Sequence, residues 1–179
     1  MVKLEKAIPL AYFITFTCYG TWLHGDRTTS VDRQFNIPGT DFLPRNTKRA
    51  RFVKSQMTEE PYFLDLPRGK IVLKAIKNVC YYHQWSLLAA HVRTNHVHLV
   101  VHANIEPEKI MSTIKSYASR LLNELKWDLN RKLRWTRHGS TRYLWNEEEI
   151  EATIQYVIYQ QGEHMAVFEN SERKFVTLI

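Results

Sequence analysis

An α+β fold built on an antiparallel sheet is predicted from two features of the sequence. Segments rich in β-branched and aromatic residues alternate with segments whose apolar residues recur every three or four positions. Their order along the chain is strand, helix, strand, strand, helix, strand and a final helix. This is the ferredoxin-like βαββαβ pattern, with helices on one face of the sheet and an appended C-terminal helix. A chain of 179 residues suits one domain, spanning 1–179.

The first half of the chain supplies a strand, a long excursion, a helix and a hairpin. Residues 10–19 are aromatic and β-branched, which is typical of a central strand. The region from about 24 to 60 carries many charges and no steady periodicity, so we expect a long basic surface excursion there. Apolar residues at helical spacing predict a helix over 70–85, and a hairpin is expected over 86–93 and 96–103.

The second half of the chain supplies a helix, a strand and a last helix. Pro107 suits the first turn of a helix. The apolar positions that predict this helix are Ile110, Ile114, Tyr117, Leu121 and Leu125. A short strand is expected over 140–145, and Asn146 is placed to cap a last helix over 147–161. Gly162 is expected to end that helix.

The charge balance and the cysteine count restrict the class of protein. A net charge of +7 and a pI near 9.4 indicate a polyanionic partner, most simply nucleic acid. Cys18 and Cys80 are too few for a disulfide scaffold, and their apolar surroundings predict buried thiols in a reducing compartment. Thr15 and Thr17 interrupt the apolar N-terminal run, and no stretch approaches the ~20 apolar residues that span a bilayer. We therefore expect a cytoplasmic protein with no membrane partner.

The hairpin contains the first candidate for chemistry, the sequence His96-Val97-His98. Side chains alternate along a strand, so His96 and His98 share one face while Val97 lies on the other. Two neighbouring imidazoles on a rigid strand can bind one divalent cation, whereas the alternative is a pair of polar histidines on a solvated face. His91 and His102 flank the pair, and we interpret both as neighbours rather than ligands.

The last predicted helix contains the second candidate. Tyr156 falls nearly opposite the apolar stripe of that helix, and Gln160 lies one turn further on the same side. The residues of the stripe are Ile150, Ile154, Val157 and Ile158. Tyr159 is a rival for the same role, since it lies about 60° around the helix from Tyr156. Taken alone, Tyr156 would be an ordinary surface tyrosine.

Basic residues are concentrated in the second half of the chain. Between Lys109 and Arg142 there are nine lysines and arginines, opposed only by Glu124 and Asp128. Aromatic residues interleave with these cations, a pattern that suits unpaired bases and their phosphates; the alternative is a solvated basic helix face. Together with the basic part of the excursion, the candidate nucleic-acid-binding residues are Arg45, Lys48, Arg49, Arg51, Lys109, Lys115, Arg120, Arg131, Lys132, Arg134, Arg137 and Arg142.

These segments together resemble the single-tyrosine HUH transposases of small bacterial insertion sequences, including the REP-associated tyrosine transposases. The resemblance covers most of the chain and rests on the segments ITFTCYGTWLHG, NHVHLVV, RYLWNEEE and YVIYQ. It implies that His96 and His98 bind Mg²⁺ or Mn²⁺, that Tyr156 is the nucleophile, and that Gln160 is a further metal ligand. It also implies a homodimer. REP-associated members often carry Asn-Pro after the tyrosine, whereas this chain has Gln160-Gln161.

The resemblance implies a specific reaction on hairpin-bearing single-stranded DNA. A phenol with a pKa near ~10 is a poor nucleophile at neutral pH, so phosphodiester cleavage benefits from a cation at the scissile phosphate. Attack by Tyr156 would give a 5′-phosphotyrosine and a free 3′-OH, and attack by another 3′-OH would reseal the DNA without ATP. The alternative is a domesticated protein that binds DNA or RNA hairpins without strand transfer.

Overall fold

The computed structural model describes residues 8–22 and 47–171. Within these residues the chain forms five strands and four helices. The strands are β1 (Ala11–Thr17), β2 (Ser86–Val92), β3 (His96–His102), β4 (Ser140–Leu144) and β5 (Ala166–Glu169). The helices are α1 (Thr47–Ser55), α2 (Leu66–Tyr82), α3 (Pro107–Glu124) and α4 (Glu147–Tyr159). None of the helices in these two ranges is long and apolar enough to cross a membrane.

The sheet confirms the predicted fold class. Its strand order is β4-β1-β3-β2-β5, and every neighbouring pair is antiparallel. The first four strands follow the ferredoxin-like order, with β1 in the interior as the sequence predicted. β5 was not predicted, because four residues are too short for periodicity to reveal.

The sheet has a separate apolar layer on each face. On one face, β1 and β3 contribute Ile14, Phe16 and Leu99 to a core shared with α2 and α3. On the other face, Val100 belongs to a second core with the α4 residues Ile150, Ile154, Val157 and Ile158. The alternation of strand side chains explains the division. The predicted helices therefore cover one face, and the appended helix α4 covers the face that carries His96 and His98.

Helix α2 departs from its predicted bounds, and helix α1 was not predicted. α2 begins at Leu66, four residues earlier than predicted, because the Asp65 carboxylate accepts a hydrogen bond from the Arg68 backbone N–H at 2.9 Å and caps the first turn. The predicted excursion over 24–60 contains helix α1 at Thr47–Ser55, where we expected no regular structure. The part of the excursion before residue 47 lies outside the described residues, as does the candidate Arg45.

Helix α4 begins where predicted and ends earlier. Asn146 Oδ1 accepts a hydrogen bond from the Glu149 backbone N–H at 2.8 Å, and Glu149 Oε2 accepts one from the Trp145 backbone N–H at 2.8 Å. This is the reciprocal capping arrangement that the sequence indicated. The helix ends at Tyr159 rather than at residue 161, with Gln160 as its C-cap.

The prediction of buried thiols is confirmed. Cys18 and Cys80 are both buried and free. Burial raises the pKa of each thiol to about 12, so neither forms a thiolate at neutral pH. Neither cysteine is therefore a candidate nucleophile.

Candidate active site

The two histidines of β3 lie side by side on the face covered by α4. Their ring centroids are 4.5 Å apart. His98 lies opposite Thr15 of β1, and Thr15 Oγ1 is 2.7 Å from His98 Nδ1. His96 Nδ1 is 2.7 Å from Asn95 Oδ1. Each ring is thus held by a hydrogen bond at Nδ1, which leaves both Nε2 atoms for other partners.

Both imidazoles are neutral at physiological pH. Burial is the main cause, and it lowers the pKa of His96 to about 4 and that of His98 to about 3. The positive charge of Arg93 lowers the His96 pKa further, and His96 does the same to His98. A neutral imidazole is the form that binds a metal ion.

These pKa shifts predict that the protein loses stability in mild acid. Between about pH 6.5 and pH 4 an unfolded chain protonates these histidines while the folded protein does not, so folding stability falls as the pH falls. Each histidine contributes a slope of at most about 1.4 kcal/mol per pH unit. Urea unfolding of wild type and His98→Gln across this range should give a shallower slope for the variant. His138→Gln, at an exposed position, should keep the wild-type slope, and parallel curves for all three proteins would contradict the prediction.

The hydrogen-bond partners determine the tautomers. Asn95 Oδ1 can only accept, so His96 donates from Nδ1 and its Nε2 keeps a lone pair. His98 Nε2 lies 3.1 Å from Gln161 Oε1, also an acceptor, so His98 donates from Nε2 and accepts from the Thr15 hydroxyl at Nδ1. The Thr15 hydroxyl can also accept, which would allow His98 to move its proton to Nδ1 and free Nε2 for a cation.

Tyr156 is the tyrosine that lies beside the histidine pair. Its ring centroid is 5.9 Å from that of His98 and 6.0 Å from that of Phe13, and 40% of the residue is exposed. Tyr159 faces a different neighbour, since its hydroxyl donates to Glu169 Oε2 at 3.2 Å. Of the two candidate tyrosines, Tyr156 is therefore the one beside the histidine pair, and its ring packs on the sheet, whereas the sequence placed it nearly opposite the apolar stripe.

The glutamine beside the histidines is Gln161, not Gln160. Gln161 Nε2 lies 3.4 Å from the Tyr156 carbonyl oxygen while its Oε1 faces His98. Gln160 donates its backbone N–H to the same carbonyl at 3.2 Å, and its side chain is exposed. The sequence placed Gln160 one helical turn from Tyr156, but the helix ends at Tyr159 and the following turn brings the next residue inward. No sequence signal distinguished these two adjacent glutamines.

Two imidazoles and one amide oxygen form the candidate metal-ligand set. The described ranges contain no group of three or more histidine, cysteine or acidic side chains that could hold a metal ion. The neutral state of His96 and His98 suits a divalent cation, and Gln161 Oε1 adds an oxygen of the kind that Mg²⁺ and Mn²⁺ prefer. The residues present therefore fit the cation that the resemblance implied.

The predicted basic residues divide into an exposed and an internal group. Seven have exposed positions: Lys48, Arg51, Lys109, Arg120, Lys132, Arg137 and Arg142. Arg142 lies on β4 opposite Phe13, and its Nη2 donates to Thr153 Oγ1 at 3.1 Å on the α4 face. The Arg49 side chain lies outside the described part of the chain.

Three of the predicted cations, Lys115, Arg134 and Arg131, point inward and stabilise the fold. Lys115 is buried, and its Nζ donates to the carbonyl oxygens of Thr136 at 2.9 Å and His138 at 3.1 Å. Burial lowers the Lys115 pKa to about 8. Arg134 is 4% exposed and donates to the carbonyl oxygens of Trp127 and Asp128. We therefore remove both from the candidate interface.

The third inward cation is Arg131, which pairs with Glu59 at 3.1 Å and lies over the Tyr62 ring. Two tryptophans near these cations also make contacts within the protein. Trp135 packs edge-on against Phe16, and Trp127 lies under the Arg68 guanidinium. A count of charges along the sequence cannot distinguish cations at the surface from cations that hold loops to the core.

The fold and the arrangement of residues can be compared with known proteins. A solved structure of a REP-associated tyrosine transposase bound to a REP hairpin is 12% identical, with a TM-score of 0.47, and the match covers 89% of this chain and 72% of that chain. No curated protein sequence matches the chain. The family model described as "Transposase IS200 like" matches residues 46–160, more than half of the sequence. That range includes both histidines of β3 and Tyr156, and the chain belongs to the IS200-like transposase family.

Proposed function

We propose that this protein is a metal-dependent transposase that cleaves and rejoins hairpin-bearing single-stranded DNA through a 5′-phosphotyrosine. The observation that carries the proposal is the position of Tyr156, half-exposed and 5.9 Å between ring centroids from His98, on the face that holds the neutral histidine pair. Membership of a transposase family supports an action on DNA.

The proposed cleavage step is a transesterification. The Tyr156 oxygen attacks the scissile phosphorus and loses its proton to solvent, the bond from phosphorus to the 3′-oxygen breaks, and that oxygen is protonated to a 3′-OH. Rejoining reverses these changes when the 3′-OH of another strand attacks the phosphotyrosine. One phosphodiester bond is exchanged for another, so the energy of the broken bond is retained and no ATP is needed.

His96, His98 and a glutamine would hold Mg²⁺ or Mn²⁺ beside Tyr156. When bound, the cation polarises the scissile phosphate and neutralises its charge. Thr15 and Asn95 hydrogen-bond the Nδ1 atoms of His98 and His96 and so orient the two rings. The site is therefore preorganised by residues of three segments: β1, the β2–β3 turn and β3.

The contact of Gln161 with His98 predicts which glutamine matters more. Gln161→Ala should weaken Mn²⁺ binding and raise the metal concentration needed for cleavage by at least about 10-fold, a size typical of residues that support a metal site. Gln160→Ala, the matched neighbour, should have a smaller effect. Calorimetric titration with Mn²⁺ and cleavage rates against metal concentration would measure both, and a larger loss in Gln160→Ala would restore the assignment inferred from the resemblance.

We also propose a single-stranded DNA partner and a homodimer. The exposed cations of α1, α3 and β4 and the net charge of +7 support a polyanionic partner. The homodimer follows from the resemblance, with Tyr156 serving the histidines of its own subunit or those of the other.

The test of the proposed function is a direct search for the covalent adduct. Labelled single-stranded oligonucleotides that carry a hairpin are incubated with the protein in Mg²⁺, in Mn²⁺ and in EDTA, then separated on a denaturing gel. We expect a protein–DNA adduct and a free 3′-OH product in either metal and neither in EDTA. Hairpin binding without any adduct would overturn strand transfer and favour a domesticated binding protein.

A further inference from the structure

Arg93 stands next to the histidine pair and was not singled out by the sequence. It follows β2, and its backbone N–H donates to the His96 carbonyl at 2.8 Å, directly across the hairpin. Since His91 lies opposite His98 in the same ladder, residue 93 pairs with residue 96 and shares its face of the sheet. The guanidinium is half-buried, and its Nη1 is buried with no hydrogen-bond partner among the residues that the structure describes.

The guanidinium also contacts the turn that carries Gln161. A side-chain carbon added at Gly162 would lie 3.7 Å from Arg93 Nη1 and 3.8 Å from Nη2. Gly162 has a φ of +75°, a conformation that glycine adopts without strain, and it follows the residue whose Oε1 faces His98. The guanidinium is thus placed between the end of β2, where Arg93 pairs with His96, and the turn after α4, where Gln161 faces His98.

An unpartnered, buried N–H of a permanently charged group calls for an anionic partner. Buried charges are almost always paired, and the planar guanidinium matches the oxygens of a phosphate better than any other side chain does. Within the described ranges no carboxylate forms an ion pair with Arg93, whereas Arg68 pairs with Asp65 and Asp128 and Arg131 pairs with Glu59. The oxygens of a ligand anion would satisfy this donor.

We propose that Arg93 binds the phosphate that Tyr156 attacks, with Nη1 donating to a non-bridging oxygen of the single-stranded DNA. This inference rests on the proposed function for the identity of the ligand, a DNA phosphodiester. Arg93 would hold the phosphate from the β2 side while the histidines lie on β3, so the scissile group would be fixed between them. The residue would also neutralise part of the phosphate charge during attack.

The experiment measures DNA binding without cleavage. Arg93→Gln is made in a Tyr156→Phe background, and binding of the hairpin oligonucleotide is titrated in EDTA over a range of salt concentrations. We expect affinity to fall about 10-fold, the effect of one charge-assisted hydrogen bond, and the slope of log K against log salt to decrease by about 0.7, the value for one phosphate contact. Lys74→Gln removes an exposed charge from α2, which packs on the opposite face of the sheet, and should leave the slope unchanged.

A double-mutant cycle identifies the phosphate. A neutral methylphosphonate replaces the phosphate at the position where wild type forms its adduct. We expect this replacement to weaken binding about 10-fold in the Tyr156→Phe protein. In the variant that carries both Tyr156→Phe and Arg93→Gln, it should not reduce the affinity any further. Additive penalties, or an unchanged salt slope, would overturn the role of Arg93.

The outcomes separate this inference from the proposed function. If wild type forms no adduct on any substrate, strand transfer fails, but the salt slope still reports whether Arg93 contacts phosphate. If the adduct forms and Arg93→Gln keeps the full slope, strand transfer stands and the inference fails. Should Arg93→Gln not fold, Arg93→Lys is the second variant. It keeps the charge and should keep the salt slope, but its methylphosphonate penalty should be smaller than that of the arginine, because a lysine lacks the planar fork.

Discussion

Tyr156→Phe should eliminate the covalent protein–DNA adduct and reduce cleavage by more than about a thousandfold, as expected when a nucleophile is removed. The substitution deletes one hydroxyl and keeps the ring that packs edge-on against Phe13 and His98. Folding and hairpin binding should therefore persist. The adduct is measured on a denaturing gel, and binding is measured in EDTA with the same oligonucleotide.

Tyr159→Phe is the matched control for this experiment. Its hydroxyl donates to Glu169 on β5, and its ring lies 6.3 Å from that of His164 rather than beside the histidine pair. This variant should form the adduct at the wild-type level. If the adduct persists in Tyr156→Phe and vanishes in Tyr159→Phe, the nucleophile is misassigned. If both variants retain it, the chemistry does not use either tyrosine.

His96→Ala and His98→Ala should each abolish divalent-dependent cleavage. Each substitution removes one of the two imidazoles that would hold the cation, and a single remaining imidazole with one amide oxygen binds Mg²⁺ or Mn²⁺ weakly. The fold should survive, because Val97, Leu99 and Val101 of β3 belong to the core on the other face. Cleavage and Mn²⁺ binding are measured together with melting temperature.

His102→Ala tests whether the loss is specific to the pair. His102 lies on the same strand and face, and its Nδ1 bonds the Leu10 carbonyl oxygen at 2.6 Å, away from Tyr156. This variant should keep metal-dependent cleavage. Full activity in either His96→Ala or His98→Ala would remove the metal site as proposed.

The placement of α4 explains how one small sheet can serve both the core and the site. At its N-terminal end the helix buries Ile150 and Ile154 against the sheet. At its C-terminal end the sheet face changes from apolar Val100 to His98 and His96, and the helix presents Tyr156 there. The boundary between core and site thus lies between Val100 and His98, two residues apart along β3.

The sequence alone determined the features that depend on local periodicity. The strand alternation placed His96 and His98 on one face, and the helical period left Tyr156 and Tyr159 as two candidates about 60° apart. The order of strands and helices was enough for the ferredoxin-like arrangement of β1 to β4, because few topologies accommodate that order. Among the elements that the structure describes, only strand β5 and helix α1 were not predicted, since neither carries a long periodic signal.

Other features depend on where the chain turns and on which residues pack against each side chain. Only the tertiary structure determined these features. The end of α4 at Tyr159 brought Gln161 rather than Gln160 to His98, a difference of one residue that no period encodes. Lys115 and Arg134 are buried, where Lys115 donates to the carbonyl oxygens of Thr136 and His138 and Arg134 donates to those of Trp127 and Asp128. The same packing places Arg93 beside the histidines with its Nη1 donor unpaired. Arg93 became a candidate only because the structure brings the end of β2 close to the turn after α4.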